Sequence, residues 1–374
     1  MRVLIAAGGT GGHIYPGLAV AKEITRRDPS SVVRFVGTSR GLENRLVPQA
    51  GFELSLIESA GLVNMGLMQR LRGLLILPKS FLAARRIIKS FAPDAVVGVG
   101  GYVSGPVVMT ASLMRVPTVL VEPNAVPGFT NRRLAGFVDA AALSFEATLP
   151  YFPGKGVVTG NPVRREFFET RPKQRDPKRV SLLLFGGSQG SRAVNDAMIA
   201  ALPHLANRHE QLHVTHQTGA ADLSRVRNAY DEAGWHGAAV HEYIDDMMSA
   251  FAANDLIISR AGATTSAELM AAGKAAIMIP LPGQLEQTRN AEALRKAGAA
   301  RMIHQDKLSG ERLAQEIISL IDSSDEITQM ELAARKMARR DAAEAAVDLI
   351  EKVSSEQKAE GRRQNAESVN TGGY

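Results

Sequence analysis

The run Val3-Leu-Ile-Ala-Ala-Gly8-Gly9-Thr10-Gly11-Gly12 is echoed 178 positions later by Leu182-Leu-Leu-Phe-Gly186-Gly187-Ser188-Gln189-Gly190. Each copy is a short apolar strand that runs into a Gly-rich turn and then a helix, the unit that opens a doubly wound parallel sheet. A chain that begins this unit twice is expected to form two Rossmann-like domains. A length of 374 residues suits that count.

The remaining pattern agrees. Short apolar runs at Val32–Val36, Ala95–Val99, Thr118–Val121, Leu212–Thr215, Leu256–Ser259 and Ala275–Ile279 alternate with helical stretches. They are continuous rather than alternating, as strands covered by helices on both faces must be, so the fold class is α/β with parallel sheets. The joint is expected near Gly160-Asn161-Pro162. That gives a first domain over 1–161 and a second over 162–339. The Ala-rich segment Met330–Val353 reads as one long helix, whose part from about 340 to 353 packs back onto the first domain. Residues 354–374 are polar and read as a disordered tail.

Several function classes fall away. With no cysteine there is no disulfide framework, thiolate metal site or thiol nucleophile, and a reducing cytosol fits best. The five apolar residues after Arg2 are too few for a signal peptide. Ala95–Met114 carries no formal charge over about a bilayer's length, but five Gly and Pro residues break it into strand, turn and helix, so no membrane span is expected. Residues 1–160 hold 17 Lys/Arg against 9 Asp/Glu, whereas the rest hold 27 against 29. The first half should therefore face something anionic, whether nucleic acid, phospholipid or a phosphorylated substrate.

The Gly-rich turns place helix N-termini where phosphate binds well, although glycines that only close tight turns would look the same. No Walker-A motif occurs, neither first-domain loop matches Gly-x-Gly-x-x-Gly, and the second strand ends in Val36-Gly37-Thr38 without an acid for a ribose. ATP hydrolysis and nicotinamide chemistry lose ground accordingly. No Asp-x-Asp pair is present and the histidines are spaced too irregularly for a zinc site, so no metal is expected.

In Ser259-Arg260-Ala-Gly262-Ala263-Thr264-Thr265-Ser266-Ala267-Glu268, a strand end leads into a short helix that can stop at Gly273. Thr265 and Glu268 have capping-box spacing, and Glu268 could equally accept from the two hydroxyls of a ribose. His13, at the end of the first Gly loop, is a candidate catalyst or substrate contact, or else a packed side chain. Residues 59–93 contain no acid but six cations, Arg70, Arg72, Lys79, Arg85, Arg86 and Lys89, among leucines and Phe81. Either a buried helix has a solvated basic edge there, or the segment meets anionic lipid. Between Arg70 and Lys89 the one aromatic is Phe81, which offers no stacking platform, and nucleic acid is not expected as a partner.

With these residues in view, the sequence resembles the peripheral membrane N-acetylglucosaminyltransferases of bacterial peptidoglycan synthesis. The likeness rests on Gly-Gly-Thr-Gly-Gly-His13, Gly41-Leu-Glu43, Gly98-Val-Gly-Gly-Tyr102, Glu122-x-Asn124, Gly160-Asn-Pro-Val-Arg164, Gly186–Ser191, Tyr243–Met247, the Ser259–Gly273 block and Gln287-x-x-Asn290. It implies a GT-B fold, two Rossmann-like domains around a cleft. It also implies inverting transfer from UDP-N-acetylglucosamine to the C4 hydroxyl of lipid I, giving the β-1,4-linked disaccharide of lipid II, without a cofactor. Another GT-B UDP-sugar enzyme, a glycolipid synthase or an epimerase, is the competing reading.

Carried over by position, the resemblance places Ser191 on the donor phosphates, Ile244 on the uracil through its backbone and Arg164 beside the nucleotide. Ala263, Thr264 and Thr265 line the diphosphate turn, Glu268 takes the ribose, and Gln287, Asn290 and Asn124 touch the sugar. Thr10, Gly11, Gly12, His13 and Tyr102 face the acceptor diphosphate, with His13 as base or anchor and Glu122 as the alternative base. Two positions depart from the family pattern, Glu286 before Gln287 and Pro123 before Asn124. The resemblance further implies a peripheral protein on the cytoplasmic face of the cell membrane, held by anionic phospholipid.

Overall fold

The apolar runs become the central strands of two parallel sheets. The computed structural model describes residues 1–39, 41–59, 67–169, 175–176 and 178–371, with 67–75 and 361–371 as backbone alone. The chain divides into two units, Met1–Arg164 together with the residues from Asp341 onward, and Arg165–Arg340.

In the first unit, β1 (Arg2–Ala7), β2 (Val32–Gly37), β3 (Glu53–Leu56), β4 (Ala95–Gly100), β5 (Thr118–Glu122), β6 (Ala140–Leu143) and β7 (Gly156–Val158) form one sheet. Their order is β3-β2-β1-β4-β5-β6-β7. Every pair is parallel. In the second unit, β8 (Val180–Phe185), β9 (Leu212–Gln217), β10 (Ala239–His241), β11 (Leu256–Ser259), β12 (Ala275–Met278) and β13 (Ala300–Met302) run β10-β9-β8-β11-β12-β13. In both sheets the first strand lies between the second and the fourth of its unit, so each has its topological switch point beside that strand.

β1, β4 and β8 are apolar because both of their faces are covered. Val3, Ile5, Val97 and Val99 share a cluster with Ile14, Val20 and Ile24 of the helix Gly11–Arg27, and Leu4, Val96 and Leu120 share another with Ile88, Phe91 and Val107. The strands that the apolar runs do not announce, β3, β6, β7, β10 and β13, are only three or four residues long. The charge-free stretch 95–114 is β4 followed by the helix Ser104–Leu113. Among the described residues no helix is long and apolar enough to cross a membrane.

Two expectations about the C-terminus are corrected. The Ala-rich stretch is not one helix, because the chain turns extended at Ala338 (φ −70°, ψ 136°) between helices Ser324–Met337 and Ala342–Thr371. The residues from 354 to 371 are helical rather than disordered. Low apolar content rules out a packed core there, but Glu, Gln, Lys, Ala and Arg all favour helix, and one packed end supplies the nucleus. That end is anchored: the Ser354 hydroxyl donates to the Asp94 carbonyl at 3.2 Å and Lys358 pairs with Asp94 at 2.7 Å. One turn earlier, Ala346, Val347, Ile350 and Val353 complete the cluster on the face of β1 and β4.

This seam supplies a test. Ile350 is fully buried there, so Ile350→Ala should cost about 2–4 kcal/mol. The chain's single tryptophan, Trp235, is buried in the core of the other unit. Denaturant unfolding followed by circular dichroism should therefore shift while the tryptophan transition stays in place. A tryptophan transition that moves as far would mean that the returning helix stabilises both units.

Candidate functional site

In the first unit, the ends of β1 and β4 lie side by side at the switch point; β4 finishes in Gly100 and β1 leads directly into Gly8. The pairing of β1 with β4 shifts register between Ala6 and Ala7, after which Gly100 and Gly101 adopt φ of 119° and 78°. These are conformations that glycine adopts without strain. A Cβ at Gly100 would lie 2.7 Å from the ring of His13, and one at Gly101 would lie 2.4 Å from the Gly8 carbonyl oxygen. The two glycines therefore let the second loop close over the first with His13 between them. The Ser104 hydroxyl fixes this contact: it accepts from the Gly100 N–H at 3.0 Å and lies 2.8 Å from the Ala6 carbonyl oxygen.

Thr10 is the N-cap of the helix Gly11–Arg27, so Gly11 and Gly12 form its first turn and His13 follows. The Thr10 hydroxyl stands 3.5 Å from His13 Nδ1. Burial lowers the pKa of His13, opposed by the Gly8 carbonyl and by the charge of Glu43. An imidazole in this state is a neutral acceptor near neutral pH, the form a general base needs. Tyr102 is exposed beside the loop, and its carbonyl is held by the Ser59 hydroxyl at 2.8 Å.

Glu122, the alternative base that the resemblance implies, ends β5 at the same sheet edge. Its Oε1 accepts from the Asn124 backbone and side-chain N–H groups, both at 3.0 Å, and its Oε2 from Gly128 N–H at 3.1 Å and Asn131 Nδ2 at 2.9 Å. The side chain is buried and both oxygens are engaged within their own loop. Glu122 therefore shapes the turn that presents Asn124. Arg164 belongs to the first unit, where its guanidinium lies 5.1 Å from the centroid of the Tyr15 ring.

In the second unit the corresponding edge is built from β8, β10 and β11. Gly190 (φ 76°) lies so close to Thr218 that a Cβ would fall 1.9 Å from its carbonyl oxygen. Ser191 caps the helix Arg192–Ala201. Its hydroxyl accepts from Arg260 Nη2 at 2.7 Å and Nε at 3.1 Å. Arg260 also donates to the carbonyls of Ile279 and Pro280 at 3.1 and 3.3 Å and to Gln305 Oε1 at 2.7 Å. Among the described residues no carboxylate lies within 4 Å of it, and burial lowers its pKa. The sequence reading passed over this residue: it stands in the quoted block, but its partners are distant in the chain and only the fold reveals them.

The helix Ala263–Ala272 is capped by Gly262 (φ −64°, ψ 153°) and stops at Gly273 in the left-handed conformation. Thr265 is thus the third helical residue, which removes the capping-box explanation of Thr265 and Glu268. Thr264 and Thr265 are half-buried beside the cap, while Ala263 and Glu268 are buried. Asn290, fully buried, donates to the Ala261 carbonyl at 3.2 Å. Gln287 Oε1 accepts from the Leu281 N–H at 3.0 Å and so braces the turn after Pro280. The Ile244 N–H donates to Gln217 Oε1 at 3.0 Å, and Gln217 Nε2 donates to the Gly187 carbonyl at 2.8 Å. Gln217, also absent from the sequence reading, therefore joins the Ile244 loop to the Gly loop through one buried amide.

Comparison with known proteins follows the same division. Residues 3–143 match the N-terminal domain of glycosyltransferase family 28 and residues 181–353 its C-terminal domain. The second match runs past Arg340 into the helix that returns to the first unit. The chain is 47% identical over 354 residues to the UDP-N-acetylglucosamine–N-acetylmuramyl-(pentapeptide) pyrophosphoryl-undecaprenol N-acetylglucosamine transferase of an Anaeromyxobacter species, covering 93% of this chain and 92% of that one. It is 45% identical to the protein of the same name from Geobacter sulfurreducens, covering 96% and 100%. The crystal structure of MurG from Acinetobacter baumannii superposes with a TM-score of 0.76 at 32% identity, covering 94% and 99%.

Glu122 gives the site a pH signature. Its pKa is raised from 4.5 to about 7, because burial away from water outweighs the four donors. Below the ordinary value the group is neutral folded or unfolded and costs nothing. As pH climbs toward 7 the unfolded chain sheds its proton first, so stability falls by about 3 kcal/mol and then levels off. Replacing it in Glu122→Gln should remove that decline, read as the difference in urea stability between the two proteins at about pH 5 and about pH 8. Equal pH slopes would show that the carboxylate ionises normally in the fold.

Proposed function

Because the chain belongs to glycosyltransferase family 28, we propose that it transfers N-acetylglucosamine from UDP-N-acetylglucosamine to lipid I, the undecaprenyl-pyrophosphoryl N-acetylmuramyl pentapeptide, with inversion at the donor carbon and attack by the acceptor C4 hydroxyl. The observation that carries this reading is the 47% identity, spread over nine-tenths of both chains, to a relative named for that transfer.

The second unit takes the donor. Its diphosphate meets the N-termini of the helices capped by Ser191 and Gly262, with Arg260 behind Ser191 supplying positive charge, and Glu268 accepts from the ribose. Charge that builds on the departing UDP is stabilised by these fixed dipoles and by the arginine. Gln287 and Asn290 of the same unit contribute to holding the sugar. The first unit takes the acceptor: its diphosphate lies on the first turn of the helix that begins at Gly11, near Tyr102, and His13 removes the proton of the attacking hydroxyl.

Lipid I carries a polyprenyl tail, so the reaction takes place at a membrane surface. On the helix Leu67–Phe91, Ile88 and Phe91 are buried whereas Lys79, Arg85, Arg86, Lys89 and Leu82 (55% exposed) face water. This helix packs on Ser104–Leu113, which ends in Leu113, 73% exposed. Phe137, half exposed, is tied to that helix, its carbonyl accepting from the Ser112 hydroxyl at 2.7 Å. Exposed leucines and a phenylalanine, together with the cations of this helix, suit the anionic inner leaflet, each cation contributing about 1 kcal/mol. Arg70, Arg72, Leu71, Leu74 and Leu75, which the sequence places in the same patch, have side chains outside the described residues.

Two experiments test the reading. UDP release measured with UDP-N-acetylglucosamine and a lipid I analogue should require both substrates, and His13→Ala should lower kcat by about 10². Equal UDP release without acceptor would point instead to an epimerase or hydrolase, and wild-type turnover in the variant would remove His13 from the chemistry. In co-sedimentation with anionic vesicles, binding should weaken as salt shortens the screening length below about 8–10 Å. It should be lost in a Leu82→Ser, Leu113→Ser, Arg85→Glu, Arg86→Glu variant. A variant that sediments like the wild type places the docking surface elsewhere.

A further inference from the structure

Several observations in the first unit converge on Glu43, a residue to which the sequence reading gives no role. It opens the helix Glu43–Gln49 and is fully buried. Its Oε2 accepts from the Gly9 N–H at 2.9 Å, and its Oε1 accepts from the Thr38 N–H at 2.8 Å and the Thr38 hydroxyl at 2.9 Å. Three glycines make room for it. A Cβ at Gly8 would lie 2.9 Å from Oε1, one at Gly37 2.5 Å from Cγ, and one at Gly41 1.8 Å from Oε2. Among the described residues no cation lies within 4 Å of the carboxylate.

A buried carboxylate with no cation beside it among the described residues is expensive to maintain, and packing alone would favour an apolar side chain here. The three donors explain its presence. They come from the loops that leave β1 and β2, so a single carboxylate sets the spacing of two loops at the switch point. By occupying the Gly9 N–H it also settles which backbone donors of the Gly8–Gly12 stretch are turned toward a ligand. Its charge also reaches His13, where it opposes the effect of burial.

We propose that Glu43 is a positioning residue for the acceptor half-reaction, holding the Gly8–Gly12 loop so that the helix N-terminus at Gly11 meets the acceptor diphosphate. The inference rests on the transferase reading above and adds to it a residue that touches neither substrate. If it holds, losing the carboxylate shifts the loop and weakens capture of the acceptor, while the donor site in the other unit keeps its affinity.

The test uses the full chain with Glu43→Gln and, separately, Thr38→Val, resolving kcat and the KM of each substrate with UDP-N-acetylglucosamine and a lipid I analogue. Glutamine keeps the shape but turns an amide donor toward one of the three donors. Acceptor KM should rise about tenfold in Glu43→Gln and about threefold in Thr38→Val, with donor KM within about twofold of wild type in both. A purely structural role would lower the active fraction, reducing kcat with both KM values unchanged, and that result overturns the proposal, as does a parallel rise in both. If Glu43→Gln does not fold, Thr38→Val alone decides, because it removes one hydroxyl and leaves the carboxylate in place. A wild-type chain that releases no UDP overturns the transferase reading and this proposal with it. Wild-type turnover with unchanged acceptor KM in the variants overturns the proposal alone.

Discussion

In a parallel sheet every strand delivers its carboxyl end to the same edge, and where the chain winds outward from a central first strand, the loops at that edge part in opposite directions. Both units are wound this way, with β1 between β2 and β4 and β8 between β9 and β11. The backbone N–H groups left at the parting have no strand to pair with and become the ligand-facing surface. Glycine is concentrated there because the loops must approach each other closely: Gly101 against the Gly8 carbonyl in one unit, Gly190 against the Thr218 carbonyl in the other. His13, Glu122, Ser191 and Glu268 are all placed by this single geometric fact.

What the topology opens, buried polar side chains then hold. Glu43 in the first unit and Gln217 in the second each bind backbone groups from two loops, while Glu122 ties together its own loop and Asn290 and Arg260 each reach a backbone carbonyl of another segment. A hydrogen bond of this kind is worth only about 0.5–1.5 kcal/mol net, whereas leaving its buried donor unmet costs about 1–3 kcal/mol. Such residues therefore act less as glue than as a penalty on every other loop arrangement. Burial pushes Glu122 and Arg260 alike toward their neutral forms. A guanidinium keeps its charge near neutral pH, while the Glu122 carboxyl, raised to about 7, stands at the edge of losing its own.

How much of this could be read from the sequence depends on distance along the chain. Strands β1, β4 and β8 and the turns after them are local events, written in consecutive apolar residues and glycines, and so are the helix stop at Gly273 and the placement of His13 and Ser191. The short edge strands carry too few residues to show a pattern. Glu43 takes its meaning from Gly9, 34 positions earlier, and Arg260 from Ser191, 69 positions earlier; neither has a local signature. Glu122 differs from these, because its four donors lie only two to nine positions further on, in the turn that follows β5. The C-terminal helix misleads: composition reports the absence of a core, and helix needs none when one end is docked.

The two Gly loops look alike in sequence but differ in what stands behind them. Behind the loop in the second unit is Ser191, held by the buried cation Arg260; behind the loop in the first unit is the buried anion Glu43. Under the proposed reaction this asymmetry has a physical use. The donor diphosphate gains negative charge as the sugar leaves, so a fixed cation there stabilises the transition state more than the ground state. The acceptor diphosphate keeps its charge throughout, and a cation behind it would tighten ground state and transition state equally, slowing release without speeding the chemistry. The acceptor half instead needs a base that stays basic in a buried setting, and a nearby anion opposes the loss of basicity that burial imposes on His13. On electrostatic grounds, then, the unit carrying Arg260 is suited to the donor and the unit carrying Glu43 to the acceptor.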